Sequence, residues 1–89
     1  MKGTLTYQIL KNLYSNESKM RKTSPRAIAL LDRRAAERMF KNRFENTSSA
    51  GFNGTIMRTV RSLKDSMHLT KRGKGIYALS NYGRRMISK

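Results

Sequence analysis

Leu5, Ile9 and Leu13 recur at intervals of four with Leu10 and Tyr14 beside them, a single apolar stripe that predicts a first helix from about Thr4 to Ser15. Asn16 to Thr23 is polar and basic with no stripe of its own, which predicts a connection with room for a short strand. Ser24-Pro25 has the chemistry of a helix start, because a serine hydroxyl caps free amides and proline at the first helical position gives up only an unneeded donor. A second helix is then expected from Arg26 to Asn46, uninterrupted by Gly or Pro. Ile28, Leu31, Ala35 and Met39 form its stripe, widened by Ala27, Phe40 and Phe44, while Arg33, Arg34, Arg38, Lys41 and Arg43 lie largely elsewhere.

Asn46 to Gly54 is a turn-rich break. Asn53-Gly54 alone suits a hairpin turn, but Ile56, Val60, Leu63 and Met67 follow at i, i+4, i+7 and i+11, so a third helix is expected to begin between Asn53 and Thr55. After Asp65-Ser66 the period becomes two. Met67 and Leu69, then Tyr77 and Leu79 beyond the Lys71-Arg72-Gly73-Lys74-Gly75 tip, predict a two-strand hairpin. Ser80 suits the cap of a last helical turn from Tyr82 to Ile87. The expectation is therefore one α+β domain over residues 1–89, with three helices, a C-terminal β-hairpin and a short final helical turn.

Charge changes the picture most. Twenty Lys and Arg against five Asp and Glu leave +15 on 89 residues, a self-repelling body unless it faces a polyanion. Nucleic acid is the natural partner. High charge also suits disorder, but periodic apolar clusters separated by Gly and Pro favour a fold. There is no cysteine, so disulfides, thiolate zinc sites and iron–sulfur clusters are excluded, and a reducing compartment fits. The apolar run Ala27 to Leu31 is far short of a membrane span. Lys2, Thr4, Thr6, Gln8 and Lys11 interrupt any signal-peptide core, so a cytoplasmic protein without membrane association is expected.

Thr59-Val60-Arg61-Ser62-Leu63-Lys64-Asp65 leading into the basic tip, and Tyr77-Ala78-Leu79-Ser80-Asn81-Tyr82-Gly83 closing it, resemble the winged-helix (winged helix-turn-helix) DNA-binding domain. The resemblance covers almost the whole chain and rests on the order of helices, basic hairpin and aromatic-x-Leu-Ser/Thr-x-x-Gly closing pattern. It implies a third helix in the major groove and a basic wing on the backbone or in the minor groove. The break before helix 3 and the expected helix 2 are both longer than in that family.

Asn53, Thr55, Arg58, Thr59, Arg61 and Ser62 are the right chemical types for the reading helix, since short donors meet base edges and basic chains anchor phosphates. Lys71, Arg72 and Lys74, set among Gly73 and Gly75, suit phosphate contact with close backbone approach. An ordinary solvated face has a similar composition; the adjoining hairpin and the net charge favour DNA contact. The helix 2 cations, mixed with Glu37 and Glu45, are mostly such a face.

Enzymatic chemistry finds little support. Gly73-Lys74-Gly75 lacks the spacing and the following Ser/Thr of a P-loop. His68 is the sole histidine, which excludes a histidine pair for metal, and His68-x-x-Lys71 with Tyr82 matches a tyrosine recombinase loosely, in a chain too short for that catalytic domain. No enzyme, cofactor, metal or small-molecule ligand is expected.

The leading expectation is a sequence-specific double-stranded DNA-binding protein serving transcription, DNA organisation or partition. The alternatives are a structural, ribosome-associated RNA-binding protein and an adaptor for an acidic protein surface. One helix reads few base pairs, so a homodimer is expected, with its seam at Leu5, Tyr7 and Tyr14 on helix 1 and Phe40 and Phe44 on helix 2.

Overall fold

The computed structural model describes residues 4–40 and 53–88. Along them run α1 (Leu5–Arg21), β1 (Leu30–Leu31), α2 (Arg33–Met39), a π-helical turn (Asn53–Met57) continuing into α3 (Arg58–Asp65), then β2 (Leu69–Gly73), β3 (Ile76–Leu79) and α4 (Asn81–Ser88). The domain is α+β, with four α-helices among the described residues and one antiparallel sheet in the order β1-β3-β2.

The Thr4 hydroxyl accepts the Tyr7 amide to start α1. The helix continues past Ser15 to Arg21, so Asn16 to Arg21 is helical and the strand allowed for in that stretch is absent from it. The apolar stripe does not stop; its next position is taken by an acid. Glu17 follows Ile9 and Leu13 at intervals of four and is buried with them, at 3% exposure.

Ser24-Pro25 opens a turn and no helix. The Ala27 amide donates to the Ser24 carbonyl at 2.9 Å, closing a four-residue turn with proline second, where its fixed φ is favoured. Ala29 and Leu31 are then buried with Leu30 exposed between them, a period of two that makes β1. The short apolar run Ala27–Leu31 suits helix or strand by composition, and pairing with β3 decides for strand: Leu30 faces Ala78 and Leu31 faces Tyr77. The hairpin is thereby enlarged to three strands. The helix expected from Arg26 to Asn46 begins only at Arg33, capped by the Asp32 carboxylate, which accepts the Ala35 amide at 2.8 Å. Residues 41–46 of that expected helix lie outside the described residues.

The core joins Ile9, Leu10 and Leu13 of α1, Leu31 of β1, Ala36 and Phe40 at α2, Ile56, Val60 and Leu63 around α3, Leu69, Tyr77 and Leu79 of the hairpin, and Ile87 of α4. Phe40 is 5% exposed, and Leu5, Tyr7 and Tyr14 pack against this core. The dimer seam expected from those residues is therefore largely consumed by the fold; Phe44 lies outside the described residues.

Met67 does not extend the α3 stripe. The His68 amide donates to the Leu63 carbonyl and the Met67 amide to that of Lys64, a Schellman closure of α3. Met67 takes the left-handed position at φ 69°, where the residue is 71% exposed. Left-handed backbone costs a non-glycine residue about 1–2 kcal/mol, partly offset by the greater unfolded-state freedom of glycine. Met67→Gly is expected to stabilise the fold by about 0.5–1 kcal/mol and raise the melting temperature by roughly 3–6 °C in a thermal scan; no rise would mean that Met67 makes contacts worth the strain.

The final helical turn is a full helix. Ser80 caps it as expected, accepting the Gly83 amide at 2.9 Å while its own hydroxyl donates to the Met67 carbonyl. One side chain thus ties α4 to the residue that ends α3.

Candidate nucleic-acid interface

Successive residues of α3 turn by about 100°, so Arg58, Arg61, Ser62 and Asp65 share one face opposite Val60 and Leu63. The burial agrees: Val60 and Leu63 are sealed, while Arg58, Arg61, Ser62 and Asp65 are exposed. Thr55, in the preceding turn, is exposed as well, and Asn53 begins that turn. Thr59 departs from expectation. It is half-buried, and its hydroxyl donates to the Thr55 carbonyl at 2.9 Å, so its proton is committed to the helix and it offers an acceptor to a ligand.

The hairpin carries its cations outward. Leu69 of β2 is buried, followed by exposed Thr70, Lys71 and Arg72. Lys71 pairs with Tyr77 and Gly73 with Ile76, leaving Arg72 as the extra residue of a bulge. The tip is Lys74-Gly75, and Gly75 adopts φ +70°, a conformation that favours glycine. β2 packs on α3, so helix and hairpin belong to one packed unit.

Arg58, Arg61, Lys64, Lys71, Arg72 and Lys74 form no ion pair among the described residues; the pairs there are Glu17 with Arg21 and Arg84, and Arg33 with Glu37. Six free cations against Asp65 give this part of the chain a net +5. Asp65 was legible from helical spacing yet escapes a search for donors alone. It ends the exposed face at the C-terminus of α3, leaving its N-terminal part as the cationic end.

The α2 side is weaker. Arg33 meets Glu37 at 3.4 Å with both side chains more than half exposed, a pair worth at most about 1 kcal/mol. Asp32 is spent on capping. His68 and Tyr82, separate motifs in the sequence, come together with ring centroids 4.9 Å apart, and His68 Nδ1 lies 2.7 Å from the Ser66 hydroxyl. Ser66 also donates to the Leu63 carbonyl, so the cluster tightens the end of α3. Among the described residues no three His, Asp or Glu side chains gather as metal ligands, and no helix is long and apolar enough to cross a membrane.

The sequence also conceals the electrostatic tie behind this surface. Glu17 Oε1 lies 2.6 Å from Arg21 Nη2 and 2.7 Å from Arg84 Nη2, and accepts from Arg84 Nε at 3.0 Å. Arg84 Nη1 donates to Asn81 Oδ1, and Arg21 Nε donates to the Ala27 carbonyl. The acid joins α1, α4 and the approach to β1, holding the sheet from which the hairpin projects. Compared with known proteins, the chain matches no protein-family model, no curated protein and no solved structure.

Proposed function

We propose that the chain is a sequence-specific double-stranded DNA-binding protein of winged-helix type, a transcriptional regulator or a DNA-organising or partition factor, and not an enzyme. In this reading α3 enters the major groove through Arg58, Arg61, Ser62 and the Thr55 turn, and Lys71, Arg72 and Lys74 ride on the backbone or in the minor groove. The observation that carries it is the exposed, unpaired cationic face of α3 backed by a basic hairpin on the same packed unit. That most of the described rings lie in or against the core supports duplex DNA over RNA, because single-stranded recognition wants several exposed stacking surfaces. Tyr77 and Phe40 are in the core and Tyr7 and Tyr14 lie against it, while Tyr82, 41% exposed, sits tilted against His68 and is the one described ring that remains open to a ligand. The cytosol is the compartment that suits such a protein.

Selection from random duplexes, followed by titration of the enriched sequence, tests the proposal. With about five phosphates neutralised, log K against log salt is expected to fall with a slope near −4.5, a loss of roughly 500-fold between about 50 and 200 mM salt. Arg58→Ala or Arg61→Ala is expected to lose about 1–3 kcal/mol of discrimination between target and random DNA, whereas Lys71→Ala, Arg72→Ala or Lys74→Ala weakens both alike. A flat salt response would overturn DNA binding. Uniform loss at Arg58 and Arg61 would reassign α3 to backbone anchoring. Two protomers per site are part of the proposal, for the specificity that a second copy adds, and sedimentation on the selected duplex reads the stoichiometry.

A further inference from the structure

We propose that the groove between the C-terminal half of α1, β1 and α2 docks an acidic amphipathic helix of a protein partner. The groove has a volume of about 500 Å³. Leu13 is sealed at its base, while Met20 and Leu30 are 42% and 52% exposed and Met39 is half-buried, so apolar surface is left facing solvent. Lys19 from α1 and Arg38 from α2 line the same groove, both exposed, and neither is ion-paired among the described residues. Among the described residues no carboxylate lines it.

An apolar strip flanked by the Asn12 and Asn16 amides of α1 and by a cationic rim complements a helix whose apolar residues recur at i, i+3, i+4 and i+7 and whose flanks are acidic. Those side chains would cover Met20, Leu30 and Met39 while the carboxylates meet Lys19 and Arg38. Strand addition is disfavoured because the edge strand is two residues long and offers a short ladder. A second copy is disfavoured by charge, since each chain carries +15. Nucleic acid would satisfy the rim but desolvate the apolar floor without covering it with apolar groups. Neither α3 nor the hairpin lines the groove, so the inference stands apart from the DNA reading, and both surfaces can be occupied together.

The test uses the full chain and a fluorescently labelled peptide of about 15 residues with Leu at the four helical anchor positions and Glu elsewhere. A scrambled peptide of identical composition controls for attraction between opposite charges. The ordered peptide is expected to bind at least about ten-fold more tightly than the scrambled one. Amide shifts of isotope-labelled protein should concentrate at Asn12 to Met20, Leu30 and Arg38. Leu30→Glu and, independently, Met20→Glu are each expected to weaken binding by about ten-fold or more; both positions are exposed, and circular dichroism checks that the variants are folded. Equal binding of the two peptides, or shifts confined to α3 and the hairpin, would overturn the proposal. So would peptide-independent self-association that Leu30→Glu abolishes, which would assign the groove to a second copy.

Discussion

Gly83→Ala is expected to lower the melting temperature by about 12–24 °C, corresponding to a loss of at least about 3 kcal/mol. A Cβ on Gly83 would run into the backbone carbonyl oxygen of His68 and lie 3.1 Å from its carbonyl carbon. That carbonyl has little room to retreat, because it accepts the Ser80 amide at 3.1 Å where the hairpin closes. The glycine is needed for close approach and not for an unusual dihedral. Domains of this size have roughly 4–13 kcal/mol of stability in all, so one methyl group would remove a large part of it. Gly54→Ala is the control, since a Cβ there meets nothing within 4 Å, and it should leave the melting temperature unchanged or slightly raised. Equal melting of Gly83→Ala and the parent chain would show that α4 is free to lift from the His68 backbone.

The second large effect is expected at Glu17. Glu17→Ala should cost about 2–3 kcal/mol in chemical denaturation, below the 3–5 kcal/mol typical of a broken buried pair, because Arg21 and Arg84 retain access to water at 41% and 22% exposure. Glu17→Met should recover part of the loss, through packing, and Glu17→Met combined with Arg84→Met most of it. The single change continues the apolar stripe of Ile9 and Leu13 and removes Oε2, which is buried without a hydrogen-bond partner. A double-mutant cycle with Arg84→Met is expected to give a coupling of about 1–2 kcal/mol. A coupling near zero would show that the contact follows from packing and does not hold α1 to α4.

Glu17 also illustrates where reading hydrophobicity along the chain stops. The stripe Ile9–Leu13–Glu17 is continuous in space and broken in composition, since the residue that makes an acid acceptable in the core, Arg84, lies 67 positions away. Helix 1 was therefore legible only to Ser15. The same blindness displaced the strand: Ala27–Leu31 has no intrinsic preference strong enough to separate helix from strand, and its partner in β3 is distant in sequence.

What the sequence by itself determined was set by near neighbours. The α3 stripe of Ile56, Val60 and Leu63, the exposed positions Arg58, Arg61 and Ser62 opposite it, the basic hairpin with its glycines and the Ser80 cap depend on contacts within a few residues, and the structure places each of them accordingly. Tertiary structure decided what depends on distant contacts. It drew Leu30–Leu31 into the sheet against β3, set Glu17 against Arg84 and buried the ring of Phe40 that an isolated helix would have left for a partner, whereas the Asp32 cap, the closure at Met67 and the Thr59 bond to Thr55 are local hydrogen bonds that hydrophobic periodicity does not register. The physical reason at β1, Glu17 and Phe40 is that local periodicity says which residues prefer to be buried, and only the docking of distant segments determines how much apolar surface is covered and which buried charges find partners.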